Sequence, residues 1–252
     1  MQEQRLTALV LRRVDYGEAD RIVTFYTREL GKVAAFARSA RKSQKRFGGA
    51  LEPFDRLRLA ARDRRGDMLS LAGSEVDCAR SAISADLDLI ARASYVTELV
   101  SEATREREPH VELFDLLDGG FDVLAGPGFA TLDRTRRDGW LCAFQLKLLA
   151  LAGYRPYLSA CGECGDTSSP RYRFVPERGT LLCSAHSGGA GVAIGAGTAR
   201  ILDASLGADL ASLEHFAFSA VQVEESRRLL GLFLRHQLGK ELKSARFLEE
   251  DS

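Results

Sequence analysis

The sequence predicts an α+β chain in two parts. A five-stranded OB-fold barrel is expected over residues 1–80. An α-helical domain is expected over 81–252, with an inserted zinc finger, ribbon-like, at about 157–190. Three observations predict this. Apolar residues alternate with a period of two up to Cys78 and recur about every 3.6 residues after it. Polar and glycine clusters cut the first part into five short strands, a number that suits a small closed barrel. Two pairs of soft metal ligands, Cys161/Cys164 and Cys183/His186, lie inside the second part.

The strands come in order. Leu6 to Leu11 is the first, and Asp15 to Asp20 is a polar turn. Ile22 to Thr27 is rich in β-branched and aromatic residues and reads as a buried strand. Arg28 to Gly31 turns the chain into a third strand, Lys32 to Ala37. Arg56-Leu57-Arg58-Leu59 alternates as a half-buried strand does, Asp63 to Asp67 is a hairpin turn, and Met68 to Leu71 alternates again.

Between the third and fourth strands the chain holds no acidic residue from Leu30 to Leu51. Lys32, Arg38, Arg41, Lys42, Lys45 and Arg46 all fall there, with Arg12 and Arg13 on the first strand. Cations that neutralise phosphates release condensed counterions, so such a stretch favours nucleic acid. Aromatics beside it can stack on bases. Phe36 is expected in the core and Phe47 on the surface as the stacking residue. A plain solvated loop is the other reading.

In Cys161-Gly162-Glu163-Cys164 and Cys183-Ser184-Ala185-His186 the ligands of each half are two residues apart, and eighteen residues separate the halves. That matches a closed tetrahedral zinc site. Arg171 to Val175 and Thr180 to Leu182 read as the strands of a hairpin turned by Pro176 to Gly179. A redox pair leaves Cys183 and His186 unexplained. A catalytic zinc is the rival: His110-Val111-Glu112 with Cys161-x-x-Cys164 echoes a deaminase pattern, though Ala160 stands where that pattern has proline. Glu163 or Glu112 would then be the general base.

Beyond Cys78, Ser84 is expected to cap a helix carrying Leu87, Ile90, Val96, Leu99 and Val100, ended by Pro109. Val111 to Leu124 and Trp140 to Leu151 trace two further apolar stripes, separated by Gly126-Pro127-Gly128. Gly188 to Gly191 reads as a flexible linker, since it lacks the parts of a phosphate loop. Short helices follow over Thr198–Leu206 and Leu210–Phe218. Ser219 caps a longer one that bears Arg227, Arg228 and Arg235, either surface charges or a site for an acidic tail.

The 252 residues carry 35 cations and 35 anions, but unevenly. Residues 1–80 hold 17 Lys and Arg against 11 Asp and Glu; residues 81–252 hold 18 against 24. A basic half points to a polyanion. No apolar run is long enough to span a bilayer. Met1 is followed by Gln2-Glu3-Gln4-Arg5 rather than by a secretion signal, so a cytoplasmic protein is expected, with Cys78 and Cys142 as small core residues.

Tyr16 to Lys32, Ala37 to Ser43, Leu51 to Phe54 and the closing Leu242 to Leu248 together resemble the RecO family of recombination mediators. The resemblance implies an N-terminal OB-fold and a helical domain with a zinc finger. It further implies a nucleoid-associated role in DNA repair and recombination after DNA damage, without catalysis. That role is strand annealing and recombinase loading onto single-stranded DNA coated by single-strand-binding protein. The implied partners are single- and double-stranded DNA, RecR, and the acidic C-terminal tail of single-strand-binding protein. A zinc-dependent hydrolase or deaminase of nucleic acid, and a zinc-containing transcriptional regulator, are the alternatives.

Overall fold

The computed structural model describes residues 3–47, 51–64 and 68–248. Gly48-Gly49, the Arg65-Gly66-Asp67 part of the expected hairpin turn and the side chain of Lys45 lie outside the described residues. Strands give way to helices after Cys78, where the periodicity changes, and the chain divides into two compact units after Gly126.

In the first unit β1 (Glu3–Tyr16), β2 (Asp20–Thr27), β3 (Gly31–Ala37), β4 (Arg56–Asp63) and β5 (Leu69–Cys78) form a closed barrel in the order β1-β2-β3-β5-β4. The β3–β5 pair is parallel and the other pairs are antiparallel. This is the OB-fold expected from five short strands. Alternation explains the core: Leu6, Ala8, Val10, Val23, Phe25, Val33, Ala35, Leu57 and Leu59 all point inward. Each large side chain so buried contributes roughly 1.5–3 kcal/mol. An irregularity between Val10 and Arg12 lets β1 run on to Tyr16.

The two phenylalanines are placed the opposite way to expectation. Phe36 shares the parity of Lys32 and Ala34 on β3, so it faces outward between the buried Ala35 and Ala37. Phe47 ends the short helix α1 (Gln44–Phe47), is 3% exposed and joins the barrel core with Leu51. A side chain beyond the last strand is not bound by strand parity, so its burial was hidden from the pattern.

Helices α2 (Ser81–Ser84), α3 (Leu87–Ala103) and α4 (Val111–Ala125) complete this unit. Ser84 ends α2 rather than capping α3. The cap is Asp86, whose carboxylate accepts the N–H groups of Asp88 and Leu89.

The second unit holds α5 (Pro127–Thr131), α6 (Arg134–Leu151), α7 (Ala196–Gly207) and α8 (Ala220–Leu238). Between α6 and α7 lie β6 (Tyr157–Cys161), β7 (Arg171–Val175), β8 (Thr180–Leu182) and β9 (Val192–Gly195), ordered β6-β8-β7-β9 in one sheet. The hairpin of β7 and β8 is the expected one; β6 and β9 are additions. The glycine run is a tight turn into β9 rather than a loose linker: a Cβ on Gly191 would stand 2.3 Å from the Phe174 carbonyl oxygen. Leu210–His215 is a 3-10 turn, shorter than the helix expected there. Ser219 caps α8 in a reciprocal box with Gln222.

Candidate metal centre and nucleic-acid interface

β6 ends at Cys161, and the next residues turn back sharply. The Gly165 N–H donates to the Cys161 carbonyl at 2.8 Å, the Gly162 N–H to Leu181 at 2.8 Å, and Gly165 takes φ +71°. Gly162 admits no side chain, since its Cβ would meet the Thr180 hydroxyl at 2.4 Å. β8 delivers Cys183, and one further turn brings His186 round, its N–H on the Cys183 carbonyl at 3.1 Å. The four ligand atoms lie within 4.8 Å of one another. Cys183 Sγ stands 3.2 Å from His186 Nδ1, Cys161 Sγ 3.9 Å from the same nitrogen, and Cys164 Sγ 3.9 Å from Cys183 Sγ. Donors about 2.0–2.3 Å from one tetrahedral zinc stand about 3.3–3.8 Å apart, so the cluster fits that ion.

Electrostatics favour the thiolate at Cys161 but not at Cys164: there the Asp166 N–H lowers the thiol, and burial with the Cys161 and Cys183 sulfurs outweighs it and pushes the group up. Burial, the largest influence, pushes the Cys161 thiol up. The backbone N–H groups of Cys164, Cys183 and Glu163 outweigh it and bring the group down to about 6. Glu163 is paired with Arg178. His110 Nδ1 accepts the Leu113 N–H at the start of α4 and lies 3.2 Å from Glu112. Among the described residues, neither His110 nor Glu112 belongs to the ligand group.

The basic stretch divides by use. Lys32 is a structural residue: its ammonium donates to the carbonyls of Ser101 and Thr104 at the end of α3, at 2.7 and 2.5 Å. Arg46 donates to the Arg38 carbonyl at 2.7 Å. It also lines a cleft of about 440 Å³ whose walls carry Glu3, Glu29 and Glu75 as well as Arg5 and Arg58. Arg13 pairs with Glu52 at 2.7 Å. Arg41 reaches Asp15 at 3.8 Å, and Arg21 holds the Asp15 carboxyl below the usual carboxylate range. Arg12, Arg38 and Lys42 are exposed and, among the described residues, have no ion-pair partner. The loop that carries Arg38 and Lys42 is tethered, with the Ser39 N–H on Asp20 at 2.7 Å and the Arg41 N–H on the Ala19 carbonyl at 3.0 Å.

Comparison with known proteins places nearly the whole chain in one family. Residues 1–76 match the family described as "Recombination protein O N terminal", and residues 84–246 the one described as "Recombination protein O C terminal". A DNA repair protein RecO from Anaeromyxobacter sp. strain Fw109-5 is 44% identical over 255 residues, covering 98% of this chain and 95% of the relative. That of Myxococcus xanthus strain DK1622 is 40% identical over 250 residues, 96% of each. That of Pelobacter propionicus strain DSM 2379 is 36% identical over 257 residues, 100% and 98%. The chain belongs to the RecO family.

The arginines of α8 divide by use as well. Arg227 lies 3.7 Å from Asp138 of α6, and Arg235 pairs with Glu241. Arg228 is exposed and, among the described residues, unpaired.

Sequence reasoning missed a buried ion network in the first unit. The Arg80 side chain is 1% exposed and donates to the Asp118 carboxylate at 2.6 Å, to Asp122 at 2.8 Å and to the Phe54 carbonyl at 2.9 Å. Arg56 joins Asp118 to Asp77 at 2.6 and 2.7 Å, and Asp77 first, then Asp118, holds it further in its charged form. No helix among the described residues is long and apolar enough to cross a membrane.

Proposed function

We propose that this RecO-family chain is a DNA-binding recombination mediator in DNA repair. Its barrel holds single- and double-stranded DNA and brings strands together. Its wider task is to load a recombinase onto single-stranded DNA coated by single-strand-binding protein, with RecR as a partner and without bond-making chemistry. The observation that carries the reading is the set of exposed cations Arg12, Arg38 and Lys42, without an ion-pair partner among the described residues, on a closed OB barrel beside the lightly held Arg41. A cationic surface between two phosphate backbones lowers their repulsion, and that is what annealing needs. Arg228 is the cation of α8 best placed to meet the acidic tail of single-strand-binding protein.

In the same reading Cys161, Cys164, Cys183 and His186 hold zinc, which supplies folding free energy to a sheet of short strands. Spectroscopy on cobalt-substituted protein separates this from a hydrolase. Four protein ligands support the structural role; an exchangeable water on the metal overturns it.

Salt titration of binding to single-stranded and duplex oligonucleotides tests the DNA reading. Each phosphate that is no longer neutralised flattens the log–log slope by about 0.7 for single strands and about 0.9 for duplex. Reversing Arg38, Arg41 and Lys42 together is expected to weaken both ligands and flatten both slopes. Unchanged slopes would remove these residues from the interface. Strong preference for one duplex sequence would favour a transcriptional regulator.

A further inference from the structure

The outward face of β1, β2 and β3 carries two cross-strand rows. Val14, Ile22 and Phe36 are register partners in one, and Arg12, Thr24 and Ala34 in the other. The first row is apolar and partly open to water: Ile22 and Phe36 are half-buried, Val14 is 42% exposed, and Tyr16, two residues on, is 57% exposed. Tyr16 meets Phe36 edge-on, with centroids 5.9 Å apart and planes at 81°. The Arg64 guanidinium lies over the Phe36 ring at 4.9 Å. Phe36 is therefore braced on two sides, and Tyr16 presents the open ring.

Thr24 and Ala34 are short, so on its Arg12 side nothing tall stands beside this row on β2 and β3. The cations singled out above edge the same face. Arg12 is in the neighbouring row, and the exposed Arg38 stands in the turn directly after β3, two residues beyond Phe36. Tyr16 also stands opposite Asp20 and beside Asp15, but those carboxylates are engaged by the Ser39 N–H and by Arg21. An open ring with arginines near it matches one polymer chemically: a nucleic-acid strand whose bases are unpaired and free to stack while its phosphates meet the arginines. A duplex keeps its bases stacked on one another and can use only the cations.

We infer that Tyr16, supported by Phe36 and Arg64, is a base-stacking site on the barrel that gives this chain a preference for single-stranded over duplex DNA. The inference rests on the DNA-binding reading above and deepens it. Tyr16 is not needed for the barrel's core, since more than half of it is in water.

Fluorescence anisotropy of the full chain with a labelled oligothymidylate and with a duplex of equal length provides the test. Tyr16→Ala should weaken oligothymidylate binding about 5- to 150-fold, the range stacking spans, and duplex binding less than twofold. Its salt slope should match the wild type, because the same phosphates stay neutralised. Tyr16→Phe should restore single-strand affinity. Irradiation with a 5-iodouracil-substituted strand should crosslink the peptide that contains Tyr16. Equal single-strand affinity in Tyr16→Ala and wild type, or a parallel fall on both ligands, would overturn the stacking site. An unchanged slope after reversal of Arg38, Arg41 and Lys42 would instead count against the phosphate reading, so the two failures are distinguishable.

Discussion

Arg80 shows what one buried charge does. It cannot leave its pocket without leaving the Asp118 carboxylate, which is 12% exposed, to Arg56 alone and without freeing the Phe54 carbonyl it caps. Leaving a buried charge with no partner costs about 3–5 kcal/mol; Arg56 remains beside Asp118, so the loss here is that of the charged hydrogen bonds and the freed carbonyl, about 1.5–3 kcal/mol. Arg80→Met is therefore expected to lower the stability of the barrel's unit by about that amount in urea unfolding followed by circular dichroism. Arg80→Lys should fall between, since an ammonium offers three donors in place of the planar fork. A wild-type midpoint for Arg80→Met would show the network to be idle. Nothing local distinguishes Arg80 from the other cations, and the same holds for Lys32, whose partners are about seventy residues away along the chain. Charge runs are visible in a sequence; which members are already spoken for is a tertiary fact.

At the scale of elements, the metal knuckle was legible because its signal is local. Ligand spacing, turn glycines and the β7–β8 hairpin all lie within about thirty residues. β6 and β9 were not legible: at five and four residues they are too short for alternation to stand out, and each depends on a distant partner strand. The aromatic exchange has the same origin, since Phe36 reads as apolar but sits on the wrong parity to be buried. If zinc staples this sheet, its removal should be felt nearby. Cys161→Ser, or chelation of the wild-type protein, is expected to abolish metal content and raise amide exchange over β6–β9. Oligonucleotide affinity should change less than twofold. Intact protection without metal would make the ion dispensable, and a large drop in DNA affinity would tie the knuckle to binding.

Taken whole, the chain joins a basic barrel to a part richer in acid, and the totals conceal this because 35 cations meet 35 anions. The fold class was readable from the change in period after Cys78; the compact division after Gly126 was not, because it depends on what packs rather than on what alternates. The barrel's closure has a further consequence. Among the described residues its β3–β5 seam has two residue pairs, Ala35 with Leu69 and Phe36 with Ser70, whereas each of its other seams runs for seven or more. A cylinder zipped so unevenly breathes first along its narrowest join, and Phe36 is part of that join. A strand leaning on this side would act as a clasp. Amide exchange at Ala35 and Ala37 should slow when oligothymidylate is bound, and unaltered exchange there would mean that occupancy and breathing are independent.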